Sequence, residues 1–284
     1  MGTSIRQLGH SKSLRRVHIE DAGKAAFANF VEELAGRIDD AAQDNNEVVR
    51  EVLAELYLGH ADTEQEDWSA TRRAAAACFD PRNVTLESEY YADVDADKFA
   101  FRKPLIWLWI MFDRSPLGHN VALGTRLRAM LAQHIFAHCG ENVRIFRNVE
   151  FTYGYNLWVG DDVILHHSVF LDDRGELVLH DRTSLSDFVN VYSHSHHIED
   201  QDDVFLDRTE IGPHARVTYH ATILSGVKVG KDSMVGAHAL VTKDVDPFTI
   251  AGGIPARVLR KKSGSCAVCE GRKSAYVPRG GVEE

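Results

Sequence analysis

The chain has 284 residues, 44% hydrophobic and 26% charged, with a net charge of −10. That length suits about two domains with a sizeable core, and the acidic balance excludes the broad basic footprint of a nucleic-acid binder. The four cysteines, Cys78, Cys139, Cys266 and Cys269, are too few for a disulfide framework.

Basic residues occur near the start (MGTSIRQLGHSKSLRRVH), but no apolar run follows them, so this is not a secretory signal. The expectation is a cytoplasmic protein. Phe27, Phe30, Val31, Leu34, Ile38 and Ala41 recur at spacings of three and four and form one apolar stripe, with Asp21 as a candidate N-cap. Val48, Val49, Val52, Leu53, Leu56 and Tyr57 predict a second helix ended by Gly59, and 70–79 is a third candidate. The longest apolar run, 104–112 (PLIWLWIMF), is about half the length that spans a bilayer. It reads first as a core or subunit-interface helix and second as an interfacial membrane contact. Residues 123–138 predict another helix, with Gly140 as its C-cap. Residues 1–140 are therefore expected to form an α-helical N-terminal domain.

From residue 141 the period changes. Ile211, Val217, Ile223, Val229, Val235 and Val241 are six apart. So are Leu179, Leu185 and Val191, and Val159, Leu165 and Leu171; Ile145 and Phe151 form an earlier pair. An inward residue every six positions predicts a three-sided coil of about 18 residues whose aliphatic side chains stack into one core. Two-residue slips fall between Phe151 and Val159 and between Leu171 and Leu179, where bulged corners are expected. The 20 residues from Val191 to Ile211 lack the inward rhythm and are expected to leave the coil as a loop carrying His194, His196 and His197. This repeat region spans 141–262. A tail, 263–284, holds the pair Cys266 and Cys269, which has the spacing of half a zinc ribbon but no second pair.

The motifs here resemble those of hexapeptide-repeat acyltransferases, the maltose, galactoside and nodulation-factor acetyltransferase group. The resemblance is carried by YNLWVGDDV at 155–163, VYSHSH at 191–196, ATILSGV at 221–227, VTKD at 241–244 and AGGIPARVLR at 251–260. It implies a mainly β fold: a left-handed parallel β-helix, here preceded by the α-helical domain. It also implies a homotrimer with active sites between subunits, and acetyl-CoA or another acyl-CoA as co-substrate, with no metal.

The activity so implied is transfer of an acyl group to a hydroxyl or amine of a sugar or other small acceptor. His196 falls at the family's catalytic histidine, a general base for direct attack on the thioester; His194 and His197 are its near alternatives. His167, Asp173 and His194 are acceptor-side candidates, with Asp172 at the same corner as Asp173. Lys243, Arg257 and Arg260 match basic positions for the CoA phosphates, and Ala237 and Thr242 border the pantetheine channel. Tyr219 stands where the family has a small residue, so it either narrows or rims that channel. Two further readings fit the same residues. One is a non-enzymatic trimeric scaffold. The other is a γ-class carbonic-anhydrase-like zinc enzyme using His196, His220 and His238, whose spacing does not reproduce that family's.

Overall fold

The structure is a computed structural model describing residues 17–61, 63, 67–200 and 203–262. The candidate zinc pair Cys266 and Cys269 lies outside these residues.

Among the described residues five α-helices come first: α1 (Asp21–Asp39), α2 (Asn45–Leu58), α3 (Ala70–Ala77), α4 (Ala96–Arg114) and α5 (Val121–Ile135). Asp21 proves to be the first helical residue of α1, with Glu20 at the cap. There its charge still favours the N-terminal end of the helix dipole. Gly59 ends α2 as predicted, in the left-handed conformation at φ 81°. The apolar run 104–112 lies inside α4 and is core: Leu105, Ile106, Leu108, Trp109 and Phe112 are buried. Its two indoles find carbonyl partners, Trp107 Nε1 donating to Cys78 O at 2.8 Å and Trp109 Nε1 to Val149 O at 3.0 Å. Among the described residues no helix is long and apolar enough to cross a membrane.

Helix α5 stops at Ile135, not at Gly140. The segment after it is captured by the solenoid, where Ala137 N donates to Leu157 O at 3.0 Å. Gly140 is a corner glycine, because a Cβ there would lie 2.6 Å from the carbonyl carbon of Gly160.

The solenoid then winds in triangular coils. The first is β1 (His138–Cys139), β2 (Arg144–Ile145) and β3 (Glu150–Phe151); the second is β4 (Leu157–Val159), β5 (Ile164–Leu165) and β6 (Phe170–Asp172). The third is β7 (Leu177–Leu179), β8 (Ser184–Leu185) and β9 (Asn190–Tyr192). A hairpin, β10 (His194–His196) and β11 (Val204–Leu206), leaves the solenoid here. Winding resumes with β12 (Thr209–Ile211), β13 (Arg216–Val217) and β14 (Thr222–Ile223), then β15 (Lys228–Val229), β16 (Met234–Val235) and β17 (Leu240–Val241). A closing strand β18 (Thr249–Gly252) pairs antiparallel with β19 (Arg257–Lys261).

Three parallel sheets follow, β1-β4-β7-β12-β15, β2-β5-β8-β13-β16-β18 and β3-β6-β9-β14-β17. The fold matches the left-handed β-helix, an exception to the right-handed crossover rule. The hexad residues are its core: Val159, Leu165, Leu171, Leu179, Leu185, Val191, Ile211, Val217, Ile223 and Val235 are fully buried. Each such side chain contributes roughly 1.5–3 kcal/mol by leaving water. The register pairs Val159 with Leu179, Leu179 with Ile211 and Ile211 with Val229, so the slips and the long gap are absorbed outside the stack. All of them fall at one corner, between the third sheet and the first.

The other two corners are regular. The first places Asn142, Asp162, Arg182, His214, Asp232 and Phe248 at positive φ, and the second Asn148, Ser168, Phe188, His220 and His238. Asn and Asp tolerate this conformation, whereas Phe and Arg are strained there by about 1–2 kcal/mol each. At the second corner stacking offsets part of that cost. Phe188 lies parallel to His220 with centroids 4.7 Å apart, and His220 to His238 at 4.8 Å. These spacings follow from the roughly 4.8 Å between neighbouring strands, which brings equivalent rings on successive coils face to face.

One buried ion pair fastens the helices to the first coil. Arg128 of α5 is 1% exposed and Asp113 of α4 is 7% exposed. Arg128 Nε donates to Asp113 Oδ1 at 2.6 Å, and its Nη2 to Gly118 O at 2.8 Å. Its Nη1 reaches Ile145 O in β2, while Asp113 Oδ2 accepts from Asn148 N at 2.8 Å.

Candidate active site

The β10–β11 hairpin leaves the third corner as the broken rhythm predicts, and its register sets His194 opposite Leu206 and His196 opposite Val204. Its base is clamped from below. Asp172 ends β6 and is 1% exposed. Its Oδ2 accepts from Ser193 N at 3.2 Å and His194 N at 3.3 Å, and also takes the Nδ1 proton of His194. Its Oδ1 accepts from Thr152 Oγ1 at 3.2 Å. Ser193 adds a second tie: its Oγ bonds Asp172 O and accepts from Gly175 N at 2.9 Å. Asp207 N donates to Ser193 O at 2.8 Å and closes the hairpin. His196 is exposed two residues beyond this clamp, its ring perpendicular to that of His194 with centroids 5.3 Å apart. His197 N bonds Asp203 O at 3.0 Å, which ties that residue to the hairpin's own turn.

Three consecutive residues at this corner do three jobs. Asp172 holds the histidine strand. Asp173 is sealed, accepting from Thr152 N at 2.9 Å, Tyr153 N at 2.8 Å and Asn156 N at 3.3 Å. It therefore supports the bulged corner below and presents no carboxylate to an acceptor. The side chain of Arg174 turns to the helical region, pairing with Asp93 and lying over the Tyr91 ring at 4.4 Å. Sequence reading chose Asp173 as the acceptor-side acid and missed the anchoring role of Asp172. The available signal was register: Asp172 pairs with Tyr192 on the next coil, which sets it beneath 193–194.

Burial pushes the Asp173 carboxyl up to about 7, helped by the nearby Asp172 charge and opposed by the three N–H donors. An unfolded Asp titrates near 3.9, so protonation favours the folded chain. The stability this group contributes is full below about pH 4 and is lost as pH rises through about 7. Urea denaturation across that range should show wild type losing stability relative to Asp173→Asn, which does not titrate. Parallel profiles for the two proteins would contradict this.

The remaining sequence-predicted residues lie on other edges. His167, Tyr219 and Ala237 occupy equivalent positions of the second corner, on coils two, four and five. His167 Nε2 lies 3.0 Å from Arg147 Nη2, and its ring meets Phe188 edge-on at 5.6 Å. Tyr219 is 49% exposed. Thr242 and Lys243 follow β17 at the third corner, and Arg257 and Arg260 lie on β19; all four are exposed. Among the described residues neither Lys243, Arg257 nor Arg260 pairs with a carboxylate, whereas Arg182, Arg208, Lys228 and Lys261 do. His196 and Lys243 share one corner while His167, Tyr219 and Ala237 share another, with the third sheet between them. Within one chain, among the described residues, no group of three or more His, Cys, Asp or Glu is placed to hold a metal ion.

A coil of hexapeptide repeats interrupted by one histidine-bearing hairpin is also the arrangement to which the similar proteins point. No family model matches the chain. The galactoside O-acetyltransferase of Escherichia coli is 29% identical over 148 residues, 51% of this chain and 73% of that one. A putative acetyltransferase of Saccharomyces cerevisiae is 24% identical over 184 residues, 63% of this chain and 91% of that one. Among solved structures, a maltose O-acetyltransferase from Clostridium difficile superposes with a TM-score of 0.54 at 24% identity, over 61% of this chain and 92% of that one. A hexapeptide-repeat acetyltransferase from Vibrio cholerae, solved with acetyl coenzyme A, gives 0.53 at 22%, over 64% and 98%. The chain is thus similar in sequence to acetyltransferases of the galactoside type and shares the fold of the hexapeptide-repeat structures.

Proposed function

We propose that this protein is a CoA-dependent acyltransferase of the O-acetyltransferase type, moving an acyl group from acetyl-CoA or another acyl-CoA to a hydroxyl or amine of a sugar or other small acceptor. The observation that carries this reading is the clamped hairpin, which presents His196 at the open corner of a rigid solenoid. Loops on rigid scaffolds are where catalytic groups concentrate.

In this reading His196 takes the proton of the acceptor hydroxyl as its oxygen attacks the thioester carbonyl. The C–S bond then breaks, and the CoA thiolate leaves and is protonated. No acyl-enzyme forms. Cys139 supports that role of bystander, since burial pushes its thiol up to about 11, far from a thiolate nucleophile. Lys243, Arg257 and Arg260 hold the CoA phosphates, Ala237 and Thr242 border the pantetheine arm, and Tyr219 rims it. His167 stands on the acceptor side.

The two-corner distribution of these groups supports a homotrimer in which the third corner of one subunit faces the second corner of its neighbour. The free thiols of Cys78 and Cys139 support a cytoplasmic setting. The test follows free thiol released from acetyl-CoA while sugars and other hydroxyl acceptors are added. Acceptor-dependent release supports the reading. Release that no acceptor accelerates, from protein that binds no CoA, favours the scaffold instead.

A further inference from the structure

Beside the proposed base sits a second imidazole, His194, that is tied directly to the coil. His194 is half-buried, and its Nδ1 proton goes to Asp172, a carboxylate side chain only 2% exposed. That carboxylate accepts from donors that all belong to this corner: Thr152 Oγ1 on one oxygen, and Ser193 N, His194 N and His194 Nδ1 on the other. A buried carboxylate bonded to Nδ1 fixes both the tautomer and the plane of an imidazole. The fixed ring then meets two others, Tyr192 at 6.5 Å and His196 at 5.3 Å, and stands at 82° to His196. His196 is exposed on a hairpin that has left the solenoid, so this wall of clamp and ring is a support that reaches it from the rigid coil.

We propose that Asp172 and His194 form a positioning pair that sets the orientation of His196, with Asp172 fixing the start of β10 and the plane of His194, and His194 fixing the plane of His196. This inference rests on His196 being the base. Its physical content is that a reacting group displaced by about 1 Å loses up to about 100-fold in rate, without a change in the binding of a substrate that it does not touch.

The test is steady-state kinetics on the purified full chain with acetyl-CoA and an accepted hydroxyl acceptor, each variant checked for folding by its thermal midpoint. His194→Ala should lower kcat by roughly 10–100-fold and leave KM for acetyl-CoA within about twofold. His194→Asn keeps an N–H donor near the Nδ1 position and should recover much of the lost kcat. His194→Gln moves the donor outward, off Asp172, and should stay low. Asp172→Asn should resemble His194→Ala in its split between kcat and KM.

Kcat for His194→Ala within twofold of wild type would overturn the proposal. So would a Gln variant more active than the Asn variant, since that places the working atom at Nε2 rather than at the bond to Asp172. So would variants that lose thermal stability while the folded fraction turns over normally. The two readings separate cleanly. Full activity in His196→Ala defeats the base assignment itself, whereas an inactive His196→Ala beside a fully active His194→Ala defeats only the positioning pair.

Discussion

His196→Ala is expected to lower turnover by roughly 100- to 10,000-fold, the usual worth of a positioned general base. The same variant should bind CoA as wild type does, because the phosphate contacts are assigned to Lys243, Arg257 and Arg260 on other elements. Its fold should be intact: His196 is exposed, and the hairpin is closed at its base by Asp172, Ser193 and Asp207. A loss of kcat with KM for acetyl-CoA unchanged is the signature of a group that acts in the transition state alone. Equal losses in affinity and turnover would instead place His196 on the co-substrate.

The second large effect lies in the core. Asp113→Ala should cost about 3–5 kcal/mol, because it strands a buried guanidinium while removing one partner. Arg128 would keep only the Gly118 and Ile145 carbonyls, and Asn148 N would lose its acceptor. On a chain of this size, that loss corresponds to a fall in thermal midpoint of roughly 6–20 °C. The double change Asp113→Leu with Arg128→Met should be less damaging than Asp113→Ala alone, since it removes both charges together. A thermal melt of the three variants checks the order. Because this pair joins α4, α5 and the first coil, its loss should also loosen the helices from the solenoid, which limited proteolysis reads separately.

Much of this was legible before the structure, and the reason is the arithmetic of the coil. An inward aliphatic every six residues has one simple three-sided solution, so Val159 through Val241 could be placed on their faces directly. The departure of the histidine loop was legible for the same reason, as the place where the rhythm stops. Gly140 was misread because a glycine after a helix has two uses. The capture of Ala137 by Leu157, a contact 20 residues away, decided between them. Asp172 was passed over for Asp173 because their difference is not local. One faces the next coil, 21 and 22 residues on at Ser193 and His194; the other faces the corner below, 17 to 21 residues back. Sequence order sets them side by side, and only coil stacking separates their work.

The central claim, that this solenoid is an acyltransferase acting on acyl-CoA, is tested most directly by calorimetric titration of CoA into the full chain and into Lys243→Ala, Arg257→Ala and Arg260→Ala. The account predicts saturable binding by wild type and weaker binding by the three variants, with a steeper fall at higher salt for wild type than for any of them. Absence of binding by wild type at millimolar CoA, or binding untouched by all three substitutions, would contradict it.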